Sequence, residues 1–385
     1  MPEVLLDLRQ PQQHLIGVTL RVRSAPGRVR FRLPAWTPGS YLIRDYVRNL
    51  EALEACWGDQ PLELQRLGVA AWGLEVPEGT SRDLTLRYRI QATELSVRTC
   101  HLNGDHGFLA LAAVVMLVEG ERWSPHRLQL LLPQGWRPFL PLQQADDGSW
   151  LARDYDQLID SPVEVGPHPL HHFQVLGVPH RWVTWGEDLP GLDPDWLVDV
   201  SRVCEQCCRL MGVEAPAASD YLFILHLLER GYGGLEHDDS SVLVFSRLEV
   251  QEPKGRRRLL QLVAHEYLHQ WNVRRLRPAA LRPYDYDAPT ILPSLWFAEG
   301  VTSYLDQLLP LQLERCDFST PGLFPFDPLG FEVRVVLVAR DGQFPLGGSA
   351  RFENQFLLAT ERLFPFVPFV VQRLEMLGAA HLEFG

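Results

Sequence analysis

Two histidines four residues apart, with a glutamate directly after the first, form the stretch His265-Glu-Tyr-Leu-His269, an HExxH pattern. On a helix, residues at i and i+4 lie on one face, so both imidazoles can reach a single ion. Glu266 is rotated off that line and can hold a metal-bound water as a general base. Zinc lowers the pKa of such a water and polarises a substrate carbonyl. A peptidase-type zinc site takes a third protein ligand and leaves one position open. Glu299, 33 positions after Glu266 in LWFAEGVTSY (295–304), is the best candidate. A carboxylate among Leu, Trp, Phe and Ala is costly to bury without a cation. The plainer alternative is a helix ion pair at 265–269 and an unrelated surface acid at 299. Thr302 and Ser303 follow Glu299 by one helical turn, so either can bond a ligand. Asn272, two turns after His265, is expected to line the cleft or hold a neighbouring loop, with plain helix packing as the alternative.

The elements that must carry these residues are mixed. Apolar spacing predicts a helix over 256–277, stopped by Pro278, and another over 293–309 between two prolines. Before them come a strand at 173–185, an amphipathic helix at 194–211 and strands at 221–228 and 241–245. Cys204, Cys207 and Cys208 fall on the apolar face of the 194–211 helix, which favours core packing over a metal or redox site. Up to about residue 165 the chain is strand-like, with period-2 stretches at 14–22, 28–33 and 84–90 and more continuous apolar runs at 108–118 and 128–132. The segment 160–169, with three prolines among Asp, Ser and Gly, marks a boundary. Its His168, and His171 and His172 just after, are expected in an ordinary loop.

Composition narrows the function classes. The 385 residues are 46% hydrophobic, enough to bury more than one core, and the net charge of −12 argues against a nucleic-acid partner. An uninterrupted apolar stretch of about 18 residues is lacking, so no membrane span is expected. The N-terminus does not read as a secretory signal. Six cysteines are too sparse for a disulfide scaffold, and a reducing, cytoplasmic location is the default.

HEYLHQWNVRRLRP (265–278) followed by LWFAEGVTSYLD (295–306) resembles the M61 glycyl aminopeptidase family of zinc peptidases, within the gluzincins. LPAWTPGSYLIRD (33–45) and DSPVEVG (160–166) also resemble that family, so the likeness spans about residues 1–315. It implies an α+β protein: a β-rich N-terminal domain (1–165) before a thermolysin-like mixed α/β zinc peptidase domain (166–316). It implies Zn2+ and removal of small N-terminal residues, Gly or Ala, from peptides with a free N-terminus. The stretch Gly233-Gly-Leu-Glu-His237 is similar to an exopeptidase motif, which implies that Gly233 and Gly234 pair with substrate backbone and Glu236 binds its α-amino group. Small glycines permit close backbone approach, main-chain pairing gives sequence-tolerant affinity, and a carboxylate selects a charged terminus. A hairpin turn with an exposed Glu is the plainer alternative.

After about residue 316 the pattern departs from the family's. Residues 317–385 hold 11 of the 18 Phe and six prolines but no Tyr or Trp. This predicts a truncated or aberrant C-terminus, loosely packed, rather than the helices that would complete a peptidase cleft. Two further readings follow: an inactive zinc-binding remnant or peptide-binding module, and a zinc endopeptidase.

Overall fold

The strand Leu15–Ser24 buries Ile16, Val18, Leu20 and Val22 and turns the residues between them outward. Its neighbour Arg82–Gln91 does the same with Leu84, Leu86, Tyr88 and Ile90, and the two pair antiparallel over ten residues. That alternation gives one apolar face per strand. The two strands centre an eight-stranded sheet in which only Glu3–Asp7 and His126–Leu131 run parallel to each other. Two four-stranded sheets complete a β-rich N-terminal domain with few helices. The computed structural model describes residues 1–315 apart from 25, 41, 79–81 and 187–194, and the expectation for 317–385 lies outside the described residues.

The apolar run at 108–118 is buried but is not one strand. It divides into Gly107–Leu109, a 3-10 turn at Leu111–Ala113 and Leu117–Val118. The 160–169 segment also departs from expectation. Val163–Gly166 is a wholly buried strand between Gly107–Leu109 and Arg137–Phe139, so the prolines flank a core element rather than a linker. His168 is buried beside it, whereas His171 and His172 lie on the strand Leu170–Val175.

The second half is built on a five-stranded sheet. The expected strand at 173–185 is two, Leu170–Val175 and Val178–Trp185, folded at Leu176-Gly177. The sheet continues through Tyr221–Leu228 and Ser240–Ser246 to the edge strand Tyr232–Glu236. Tyr221–Leu228 is apolar almost throughout because both its faces are covered. Leu222 and Ile224 join the core shared with the N-terminal domain. Phe223, Leu225 and Leu227 pack with the helices Trp196–Leu210 and Pro253–Leu268. Cys204, Cys207 and Cys208 sit in this second core as free, buried thiols, and burial pushes Cys208 up to about 12.

Candidate metal centre

The helix Pro253–Leu268 begins on a proline and buries Leu259, Leu262, Val263, Tyr267 and Leu268. It ends nine residues before the sequence pattern does. After His269 the chain makes irregular turns, with the Arg274 N–H donating to the His269 carbonyl at 3.0 Å. Polar contacts outweigh helix propensity here: the Gln270 side chain accepts from the Ala218 N–H, and the Asn272 carbonyl accepts from His269.

His265 and His269 turn their Nε2 atoms toward one carboxylate oxygen, Glu299 Oε2, at 3.5 and 3.7 Å. Ligand atoms at about 2.0–2.1 Å in a tetrahedron stand roughly 3.3–3.4 Å apart, so this trio fits a zinc-sized ion. The opposite nitrogens are committed. His265 Nδ1–H donates to Asp306 Oδ2 at 2.7 Å, and His269 Nδ1–H donates to the Asn272 carbonyl at 2.5 Å. With a proton fixed there, each ring in its neutral form turns its Nε2 lone pair inward, the tautomer a metal ligand needs. Burial disfavours a His265 imidazolium, but Asp306, Glu299 and Glu266 outweigh it and lift the pKa to about 10. For His269 burial is likewise outweighed, chiefly by Glu236 and Glu299, and the pKa rises to about 9. Surroundings that favour positive charge this strongly suit a divalent cation.

Glu299 lies in a π-helical turn, Trp296–Val301, that leads into the helix Thr302–Arg315. Such turns recur at functional sites because the extra residue re-aims a side chain. Pro310 lies inside this helix, which runs on to Arg315 instead of stopping at 309. Asn272 Nδ2 donates to the Ala298 carbonyl and to Thr302 Oγ1, both at 3.2 Å, so its amide grips the turn that carries Glu299. Thr302 Oγ1–H itself donates to the Ala298 carbonyl at 2.7 Å, not to a ligand. The Ser303 side chain, on the same helix, makes no hydrogen bond among the described residues. The ligand is held instead by Asp306, two turns after Glu299, whose other oxygen accepts from Gln261 at 2.8 Å. Sequence reasoning overlooked Asp306; its i+7 spacing from Glu299 was the available signal.

Glu266 is 4% exposed. Burial pushes its carboxyl up to about 7; the imidazoles of His265 and His269 oppose the rise, and Glu236 and Glu299 add to it. The edge strand crosses directly over it: a Cβ on Gly234 would lie 2.1 Å from Glu266 Oε1, so only glycine allows this approach. Tyr232–Glu236 pairs with Ser240–Ser246 along one side and ends the sheet, leaving its other edge without a strand partner among the described residues. Arg98, from the N-terminal domain, donates from Nη2 to the Gly234 carbonyl at 3.4 Å. Glu236 is not a solvent-facing turn residue. It is 4% exposed, its Oε1 has no hydrogen-bond partner among the described residues, and its carboxylate lies within 4.8 Å of ligand atoms of Glu266 and His269.

A second group, unseen in the sequence, surrounds Glu164. His106 Nδ1 and His168 Nε2 donate to its Oε1, and His226 Nε2 to its Oε2, each at 2.9 Å. These residues are buried, and Trp185 stacks on the His106 ring at 4.0 Å. The spacing is that of hydrogen bonds rather than of ligands sharing an ion. His226 comes from the central strand of the five-stranded sheet and the other two imidazoles from beside the four-stranded sheet that holds Gly107–Leu109 and Val163–Gly166, so the group ties the two halves together.

Residues 3–167 match the Peptidase M61 N-terminal domain and residues 258–320 match the M61 glycyl aminopeptidase model. No curated protein matches the chain. Among solved structures, an aminopeptidase N family protein from Idiomarina loihiensis aligns with a TM-score of 0.74 and 29% identity over 80% of this chain. The alignment spans about half of that protein, 54% of its length. An M1 zinc metallopeptidase from Deinococcus radiodurans aligns at 14% identity over 82% of this chain and 71% of its own, with a TM-score of 0.49.

Proposed function

The chain belongs to the M61 glycyl aminopeptidase family, and from that premise we propose that it is a zinc-dependent aminopeptidase releasing small N-terminal residues, glycine or alanine, from peptides. One juxtaposition carries the proposal. Two imidazoles with inward lone pairs face Glu299, and beside them the buried Glu236 carboxylate lies at the end of an open strand edge. His265, His269 and Glu299 would hold the metal, which supplies Lewis-acid activation of water and of the scissile carbonyl. Glu266, lifted to about 7 by burial, takes the proton from the attacking water and returns it to the leaving amine. An extended peptide pairs with the free side of Tyr232–Glu236, and Glu236 receives its α-ammonium group. The preference for glycine rests on the family's description, and alanine extends it to the next smallest side chain. The proposal includes a cytoplasmic setting, suggested by the sparse cysteines.

The test combines metal analysis with hydrolysis of glycyl- and alanyl-4-nitroanilide. We expect one zinc per chain, its loss in His265→Ala, His269→Ala and Glu299→Ala, and turnover abolished by chelator. Undiminished zinc in His269→Ala would sink the site. Turnover of N-acetylated peptides as fast as free ones would replace the aminopeptidase by an endopeptidase.

A further inference from the structure

Glu236 is the last residue of an edge strand, and terminal pairs of an edge strand open most readily. The turn after it is nevertheless held from two directions. Asp160, contributed by the first half, accepts from His237 Nδ1 at 3.1 Å through Oδ1 and from the Asp238 N–H at 2.9 Å through Oδ2. Arg274 is 4% exposed and lies five residues after the ligand His269. It donates from Nη2 to Asp160 Oδ2 at 2.6 Å and from Nε to Asp238 Oδ1 at 2.8 Å, while its backbone N–H holds the His269 carbonyl. Arg275 and Arg277 reinforce it, with nitrogens 3.6 Å from Asp239 and 3.8 Å from Asp238. The arginines of the segment after HExxH thus grip the acidic turn after Glu236, and Asp160 closes the bracket.

We infer that Asp160 and Arg274 are positioning residues for amino-terminus recognition: together they fix the Glu236 carboxylate at a set place relative to the metal ligands. Arg274 suits this role because its planar fork bonds two carboxylates in one geometry while its own backbone is tied to His269. The buried guanidinium has its charge offset by Asp160 and Asp238. It converts the position of the ligand helix into the position of the strand end. An ångström of misplacement at such a contact costs up to about 100-fold.

The inference rests on Glu236 being the amine-recognising group, and its test separates the two. Glycine hydroxamate and acetohydroxamate offer the same metal-binding group, and only the first carries an ammonium. The acetohydroxamate Kd divided by the glycine hydroxamate Kd, for the zinc-loaded protein, therefore reads amine recognition without turnover. We expect Asp160→Asn and Arg274→Lys each to reduce that ratio about tenfold or more, leaving zinc content and the acetohydroxamate Kd as in the wild type. Neither should reduce it further in a Glu236→Gln background. Asp238→Asn, which spares the Arg274–Asp160 bond, is a gentler variant should the others fold poorly, and the same loss is expected there in smaller degree. An unchanged ratio in folded Asp160→Asn, Arg274→Lys and Asp238→Asn, with a ratio lost in Glu236→Gln, overturns the inference alone. A full effect persisting in the Glu236→Gln background overturns it too. An unchanged ratio in Glu236→Gln itself removes the underlying reading.

Discussion

Two clusters in this protein set imidazoles around a carboxylate, and they behave oppositely. At Glu299 the facing nitrogens stand 3.5 and 3.7 Å from the oxygen; at Glu164 they stand 2.9 Å away. At Glu299 the outward nitrogens are occupied by Asp306 and the Asn272 carbonyl, so a neutral ring keeps its proton outside and turns its lone pair in. At Glu164 the protons point in as hydrogen-bond donors, and the far nitrogens of His106 and His226 have no partner among the described residues. The Glu299 side chain is 40% exposed and the Glu164 side chain 1%. Residue type does not decide between a metal centre and a structural clasp. The location of each proton does, and that is set by what binds the other side of each ring.

The largest expected effect is at the first cluster. Glu266→Gln keeps the shape beside Gly234 but removes the base, so kcat should fall about 10²–10⁴-fold with zinc content unchanged. A normal rate with zinc bound would mean that the chemistry of this site is misassigned. The matching change at the second cluster is Glu164→Gln. It turns an acceptor-only group into one that also presents N–H donors to imidazole N–H groups, in a site with no water access. We expect a loss of about 3–5 kcal/mol in denaturant-unfolding stability, the cost of breaking a buried charged network. Zinc affinity measured below the unfolding midpoint should be retained. A parallel loss of zinc would show the clusters to be coupled and remove the contrast drawn between them.

Acid separates the regions further. Burial holds His101 and His180 at about 4, well below the ordinary 6.5, and lowers His106 and His126 as well. The unfolded chain binds protons on these groups first as pH falls. Their contribution is therefore complete above 6.5 and is lost progressively down to about 4. His180 alone, 0% exposed and tied to Tyr267 Oη, accounts for about 3 kcal/mol of that window. The Glu164 carboxyl is disfavoured by burial, but His226, His106 and His168 outweigh that and depress its pKa, so its own loss begins only at lower pH, below the usual 4.5. The pH dependence of the denaturant midpoint from 7.5 to 4.5 should differ between the wild type and His180→Gln by the amount given for His180, because the raised groups of the first cluster, Glu266 among them, act in the opposite direction in both proteins. An identical dependence would contradict a buried neutral His180.

The difference between the clusters also explains what the sequence could disclose. The juxtaposition of His265 and His269 was legible because i and i+4 share a helical face whatever surrounds them. Glu299 does face both imidazoles, but its side chain is 40% exposed, so burial of a charge in an apolar run is not what sets it there. The β-rich first half was legible from alternation, as at Ile16, Val18 and Leu20. Glu164 was not legible: its partners lie at 106, 168 and 226 and meet only through sheet packing. The early end of the ligand helix was hidden for the same reason, since the contacts of Gln270, Asn272 and Arg274 that bend the chain are tertiary. The Thr302–Arg315 helix holds Pro310 in its interior, where the expectation that a proline stops a helix placed its end.

Asp306→Asn should give the smallest effect and the sharpest one for this comparison. The residue touches no ion. It accepts the Nδ1 proton of His265 at 2.7 Å and the Gln261 amide at 2.8 Å, and so fixes which nitrogen of His265 faces Glu299. Asparagine fits the same space but accepts with only one side-chain oxygen. If its amide nitrogen faces His265 the ring must move its proton to Nε2, so that a proton points inward as the protons do at Glu164. If its oxygen faces His265 the tautomer survives, and Gln261 loses its acceptor. The first case weakens the ligand and the second weakens only its support. Outer partners of metal-bound histidines typically contribute about 10–100-fold in affinity, so competition with a graded chelator should show zinc binding weakened within that range. A larger loss would make Asp306 a ligand in its own right. No loss would mean that His265 keeps its tautomer without help, and that proton placement is not what distinguishes the two clusters.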